Sequence, residues 1–175
     1  GYYIGMTRSL DYLAGLGVTC IWLLPFFPSP NRDHGYDIAD YLNVDAKYGT
    51  LGHFVEFLDA AEESGIRVII DLVLNHTSID HPWFQEARKN KNSKYRKYYI
   101  WLDEKPENSH EDVIFGHHQD GNWEYDKVAG QYYYHTFYGH QADLNITNPD
   151  VQTEIRYILQ FWLNLGISAF RMDAV

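Results

Sequence analysis

The chain has 175 residues, with 24 acidic and 14 basic side chains, a formal net charge of −10, a single cysteine and 17% aromatic residues. One cysteine excludes a disulfide scaffold and a cysteine-based zinc site, and the acidic balance argues against a surface that neutralises nucleic-acid phosphate or anionic lipid. No apolar run reaches the roughly 18 residues that cross a bilayer and no signal-peptide pattern opens the sequence, so a soluble, cytoplasmic protein is expected.

The sequence opens on Gly1-Tyr2-Tyr3 without an initiator Met and stops at Asp173-Ala174-Val175 inside an apolar run, so it is expected to be a piece of a longer chain. Met6, Leu10, Leu13 and Leu16 recur at helical spacing ahead of Gly17, which predicts a short helix. Val18 to Leu24 is a continuous apolar run closed by Pro25, the pattern of a strand buried on both faces, with Cys20 as a core residue. A loop rich in Pro, Asp and Gly runs to about Tyr48. Phe54, Phe57, Leu58 and Ala61 mark the next helix, which ends at Gly65, and Ile66 to Leu74 reads as a second buried strand.

Two such strands joined through a helix make a parallel βαβ unit. The pattern returns at the other end of the sequence: Asn148-Pro149 starts a helix carrying Ile155, Ile158, Leu159, Trp162 and Leu165, Gly166 ends it, and Ile167 to Val175 is the third strand. Between these lie residues 77–147, far longer than the 2–6 residues of an ordinary connection. Fourteen aromatics in that span argue against disorder, and Trp123-Glu124-Tyr125 with Tyr132-Tyr133-Tyr134 reads as a β-hairpin. The expected organisation is α/β: residues 1–76 and 148–175 form part of a barrel or open sheet, with a small inserted subdomain at 77–147.

Ligands of parallel α/β folds bind at the carboxyl ends of the strands. Two of the strands end in polar residues there. Arg171 and Asp173, two apart, share one face of the third strand, and a guanidinium about 7 Å along the strand from a carboxylate favours its ionised form. An ionised carboxylate suits covalent chemistry at a sugar carbon, although Arg-x-Asp is a common tripeptide and a structural ion pair at a strand end is the more frequent reading. Asp71 lies within an apolar run and needs a partner, for which Arg171 on the neighbouring strand is the candidate. His76 reads either as a satisfied core histidine or as a site residue. Asn75 suits a cap or an oxygen ligand for a hard cation. The loop Asp33-His34-Gly35-Tyr36-Asp37 opens on the same rim, where a tyrosine beside carboxylates suits a sugar and an ordinary turn is the alternative.

Together, DLVLNH at 71–76, QADLN at 141–145, FRMDAV at 170–175 and the upstream DHGYD resemble glycoside hydrolase family 13, the α-amylase family of (β/α)₈ barrels, over essentially the whole chain. That resemblance implies a partial barrel of about three strands, with the insertion between the third barrel strand and third helix and with 148–175 as the third helix and fourth strand. It further implies a retaining double displacement in which Asp173 is the nucleophile and Arg171 holds it; Asp71, paired with Arg171, reads as a positioning residue. Asp33, Tyr36, His76, Phe137 and Gln141 would bind the transferred sugar. Asn75 and Asp143 match positions that hold a structural calcium in many members, while other members dispense with it; no organic cofactor is implied.

The segments WLLPF at 22–26, GYDIADY at 35–41, HPWFQEAR at 81–88 and YYIW at 98–101 most resemble trehalose synthases, which interconvert maltose and trehalose, with α-glucosidases and oligo-1,6-glucosidases as the alternative. Ala142 and His34 depart from the usual proline and small or acidic residue of that group. The implied partner is a small α-glucoside or maltooligosaccharide, with no nucleic acid and no membrane in this segment. The family's acid/base Glu and its His-Asp pair would lie beyond residue 175, so the chain alone is expected to be inert. A non-catalytic amylase-like accessory domain and a plain sugar-binding module remain the readings of another class.

Overall fold

The computed structural model describes residues 2–107, 109, 113–114 and 121–174. Its order is α1 (Tyr2–Gly15), β1 (Cys20–Leu23), α2 (Leu51–Glu63), β2 (Arg67–Val73), β3 (His76–Ser78), α3 (Pro82–Lys89), a 3₁₀ turn (Lys94–Tyr98), β4 (Trp101–Leu102), β5 (Trp123–Asp126), β6 (Gln131–Tyr134), β7 (Gln141–Asp143), α4 (Pro149–Leu165) and β8 (Ala169–Asp173). β1, β2 and β8 pair in that order as a parallel sheet. The three predicted strands are therefore present and adjacent; Val175, the end of the predicted third strand, lies outside the described residues.

α2 and α4 form where the apolar stripes place them, whereas α1 starts earlier, at Tyr2, and Leu16, the last residue of its predicted stripe, lies past its end and is exposed. In α2, Phe54, Phe57, Leu58 and Ala61 are all buried, and Thr50 caps the first turn by accepting the His53 N–H. In α4, Asn148 caps the start, Pro149 takes the first turn and Gly166 closes the helix at φ 113°, a left-handed value that glycine adopts freely. Val151, Ile158 and Trp162 of α4 are buried. Trp162 is the keystone of an aromatic cluster, with ring centroids 5.4 Å from Phe26, 5.5 Å from Phe27 and 5.6 Å from Phe54. Its indole N–H donates to the Tyr41 carbonyl at 2.7 Å, so burying this large ring strands no polar group.

Side chains alternate across the sheet. Val68, Ile70 and Leu72 point toward the helices and are buried, as the near-continuous apolar run predicts. Within the described part of these 175 residues the opposite face of the sheet is uncovered. Cys20 is exposed rather than in the core, and Trp22 is 51% exposed. The cause is geometric: α1, α2 and α4 cover one face, and among the described residues no element covers the face that carries Cys20, Trp22, Arg67 and Ile69.

Among the described residues from 76 to 143, two further sheets form, both antiparallel. β3 pairs with β7, and β6 lies between β4 and β5. The predicted hairpin is β5–β6, with Trp123 opposite Tyr134 and Tyr125 opposite Tyr132. A second core gathers around Phe84, Tyr98, Tyr99 and Tyr133, so much of the aromatic excess is packing.

Candidate active site

The loop after β1 is shaped by one carboxylate. Asp37 is fully buried and accepts the Ser29 hydroxyl at 2.8 Å and the backbone N–H groups of Arg32 at 3.0 Å and Asp33 at 3.2 Å. Gly35 has φ 97°, and a Cβ there would stand 2.9 Å from the Pro25 carbonyl oxygen, so the close return of the loop onto the strand end needs glycine. His34 takes a left-handed φ of 50° beside it. This wrapping delivers Tyr36 and Asp33 to the carboxyl ends of the strands.

At those ends Asp71 is 0% exposed, and its two oxygens are occupied. The Arg171 guanidinium donates to Oδ1 at 3.0 Å and to Oδ2 at 2.9 Å, and the Tyr36 hydroxyl donates to Oδ2 at 3.1 Å. Burial pushes the Asp71 carboxyl upward, while Arg171 and the Tyr36 hydroxyl pull it back. The same guanidinium nitrogen donates to Asp173 Oδ1 at 2.6 Å. Register places Asp71 opposite Arg171 and Val73 opposite Asp173, so one cation bridges an enclosed carboxylate and an accessible one. The predicted Asp71–Arg171 pairing is present, and Arg171 reaches Asp173 directly. The guanidinium also lies 5.3 Å from the Trp22 ring centroid.

His76 follows as the first residue of β3. It is buried, and both ring nitrogens are engaged: Nε2 donates to the Tyr36 carbonyl at 3.1 Å and Nδ1 accepts from the Asn75 amide at 3.3 Å. Those bonds describe a neutral ring, and burial lowers its pKa to about 4. Phe137 packs against it at 5.3 Å between ring centroids. The Gln141 amide donates to Asp33 Oδ2 at 2.7 Å and its oxygen accepts the Tyr138 N–H at 3.3 Å, tying β7 to a loop 108 positions earlier in the sequence.

The two residues matched to calcium also meet. β3 and β7 place His76 opposite Asp143, and the Asn75 side chain hydrogen-bonds to the Asp143 carboxylate, which burial pushes upward and Thr136 pulls back through its N–H at 2.8 Å and its hydroxyl. The pair offers the oxygen donors that a hard cation takes, but only two of the 6–8 such an ion collects. Among the described residues no group of three or more His, Cys, Asp or Glu side chains is placed around a common point for a metal.

All ten residues singled out in the sequence thus lie in one connected neighbourhood. Three contributors had no sequence-derived role. Asp37 organises the loop, Trp22 lies under the guanidinium, and the Tyr41 hydroxyl bonds the carbonyls of Val73 at 2.8 Å and His76 at 2.9 Å, fixing the turn between β2 and β3. An Asp two positions after a loop glycine is a signal for the first; the other two depend on register and leave no local trace.

Known proteins supply the context for this constellation. The family model "Alpha amylase, catalytic domain" matches residues 1–175. The chain is 49% identical over 171 residues to a trehalose synthase/amylase of Mycolicibacterium smegmatis, covering 98% of the chain and 29% of that protein. It is 44% identical over 174 residues to an oligo-1,6-glucosidase of Parageobacillus thermoglucosidasius, covering 98% and 30%. The crystal structure of a trehalulose synthase from Pseudomonas mesoacidophila MX-45 superposes with a TM-score of 0.91 at 42% identity, covering 99% of the chain and 31% of that structure. The chain therefore spans about 30% of the length of these relatives. The parallel β1–β2–β8 sheet with its helices on one face is consistent with part of the barrel of such enzymes. With the family model matching from the first residue to the last, this chain belongs to the alpha-amylase catalytic-domain family.

Proposed function

We propose that the chain carries the nucleophile and the sugar-binding rim of a retaining enzyme acting on small α-glucosides, interconverting maltose and trehalose. The observation that supports this most directly is the Arg171 bridge between Asp71 and Asp173. Asp71 is enclosed and its oxygens accept hydrogen bonds from Arg171 and Tyr36, so it cannot react; Asp173 keeps an oxygen open. In the proposed first step that oxygen attacks the anomeric carbon, the C1–O bond to the leaving sugar breaks, and its electron pair goes to the glycosidic oxygen. A second carboxyl group about 5–5.5 Å away protonates that oxygen in retaining enzymes. This acid is assigned to a part of the protein outside these 175 residues.

Tyr36, His76 and Phe137 surround the sugar on one side, and Asp33 and Gln141, already joined, clasp it from the loop and from β7. Residues 77–147 act as a subdomain inserted between the third barrel strand and third helix, flanked by 1–76 and 148–175, and Asn75 with Asp143 contribute to a structural calcium site. Similarity to a trehalose synthase/amylase at 49% and to an oligo-1,6-glucosidase at 44% supports the α-glucoside class and ranks isomerisation ahead of hydrolysis. The two outcomes differ in whether the released sugar or water attacks the glycosyl-enzyme. Full-length protein given maltose and followed by NMR tests this: trehalose forming faster than glucose agrees with the proposal, glucose alone makes the enzyme a hydrolase, and no turnover refutes the reading.

A further inference from the structure

The loop after β1, the start of α3 and one flank of α4 enclose a cleft of about 330 Å³ that the proposed reaction does not use. Its walls include Asp40, Tyr41, His81, Trp83, Glu154 and Tyr157.

His81 is the unexplained residue in it. The ring is only 4% exposed. Its Nδ1 accepts the Trp83 N–H at 3.1 Å as the cap of α3, which leaves the ring proton on Nε2. Burial keeps the ring neutral, with a pKa lowered to about 3. Nε2 has no hydrogen-bond partner among the described residues, yet it is not among the polar atoms sealed from solvent. The ring lines the cleft, and its N–H keeps access to solvent there, so a ligand oxygen can take the place of water.

Across from it stand acceptors and aromatic faces. Glu154 uses one oxygen to accept the Tyr98 hydroxyl at 2.9 Å, and Asp40 uses one to accept the Leu42 N–H at 2.9 Å. Each carboxylate keeps a second oxygen. Tyr157 is 56% exposed, and the Trp83 ring lies 4.3 Å from the His81 ring between centroids.

We propose that this cleft is a second saccharide site, which takes one or two pyranose units of a neutral α-glucoside. Sugar hydroxyls donate to Asp40 and Glu154, a hydroxyl oxygen accepts the His81 Nε2–H, and the C–H face of the ring rests on Trp83 and Tyr157. A volume near the lower end of the range for small-ligand sites matches a mono- or disaccharide. A bare cation would find the two carboxylates but also the His81 N–H donor, which a cation does not take. Choosing an α-glucoside as the ligand rests on the proposed function; the cleft itself lies outside that reaction.

The test uses full-length protein carrying Asp173→Asn, so that maltose binds without turnover, and isothermal titration. Two classes of maltose site are expected, and Tyr157→Ala should weaken one about tenfold while leaving the other unchanged. Glu154→Gln, which retains an oxygen for Tyr98, should weaken the same class. A single class of site, or a second class untouched by both substitutions, overturns the proposal. Tyr157→Ala in the otherwise native enzyme should leave maltose turnover intact, so failure of the second site and failure of the proposed reaction are distinguishable.

Discussion

The two ends of the same three strands differ in the chemistry of the side chains they carry. At the amino ends, Cys20, Arg67, Ile69 and Ser168 line a cavity of about 550 Å³ with no carboxylate among its lining residues. At the carboxyl ends, Asp71, Asp173, Arg171, Tyr36 and His76 form a connected network of hydrogen bonds and ion pairs. Both ends use the same backbone geometry. What separates them is that the loop after β1 and the β3–β7 pair fold over the carboxyl ends, adding Tyr36 to the Asp71–Arg171 pair and His76 beside it.

That contrast can be broken by substitution in the full-length enzyme. Asp173→Asn removes the proposed nucleophile and should lower kcat on the order of 10⁴-fold with the fold retained, as judged by thermal melting beside steady-state rates. Asp71→Asn loosens the Arg171 bridge without touching substrate and should cost about 10²-fold in kcat, with KM little changed. Replacing Tyr36 with Phe removes a hydroxyl bonded to Asp71 and should cost about tenfold, within the range of one displaced positioning contact. At the opposite end, Arg67→Ala should leave kcat/KM unchanged and stability within about 0.5 kcal/mol. A large catalytic loss there would erase the distinction between the two ends.

The buried histidine gives the carboxyl end its own pH signature. His76 titrates near 4 in the folded chain against an ordinary 6.5, so the unfolded state binds the proton more readily. Its stabilising contribution is complete above pH 6.5 and is lost as pH falls toward 4, amounting to about 3 kcal/mol. Melting temperature should therefore drop across that window, and His76→Gln should flatten the drop; a flat profile in the native protein would contradict the burial of a neutral ring.

Much of this arrangement was legible in the sequence where the signal is local. The α2 stripe of Phe54, Phe57, Leu58 and Ala61, the Asn148-Pro149 start and Gly166 end of α4, and the β5–β6 hairpin all follow from periodicity and capping. The need of Asp71 for a partner was also readable, because a carboxylate in an apolar run must be matched. The Gln141–Asp33 bond and the Tyr41 bonds to the carbonyls of Val73 and His76 depend on tertiary register across up to 108 positions, which no local pattern encodes.

The central claim is that Asp173 forms the covalent bond to the sugar. Incubating full-length enzyme with a fluorinated α-glucosyl fluoride that traps the intermediate, then digesting it and locating the added mass by tandem mass spectrometry, tests it directly. The account predicts a glucosyl adduct on Asp173 that disappears in Asp173→Asn; an adduct on any other residue, or turnover that persists in Asp173→Asn, would contradict it.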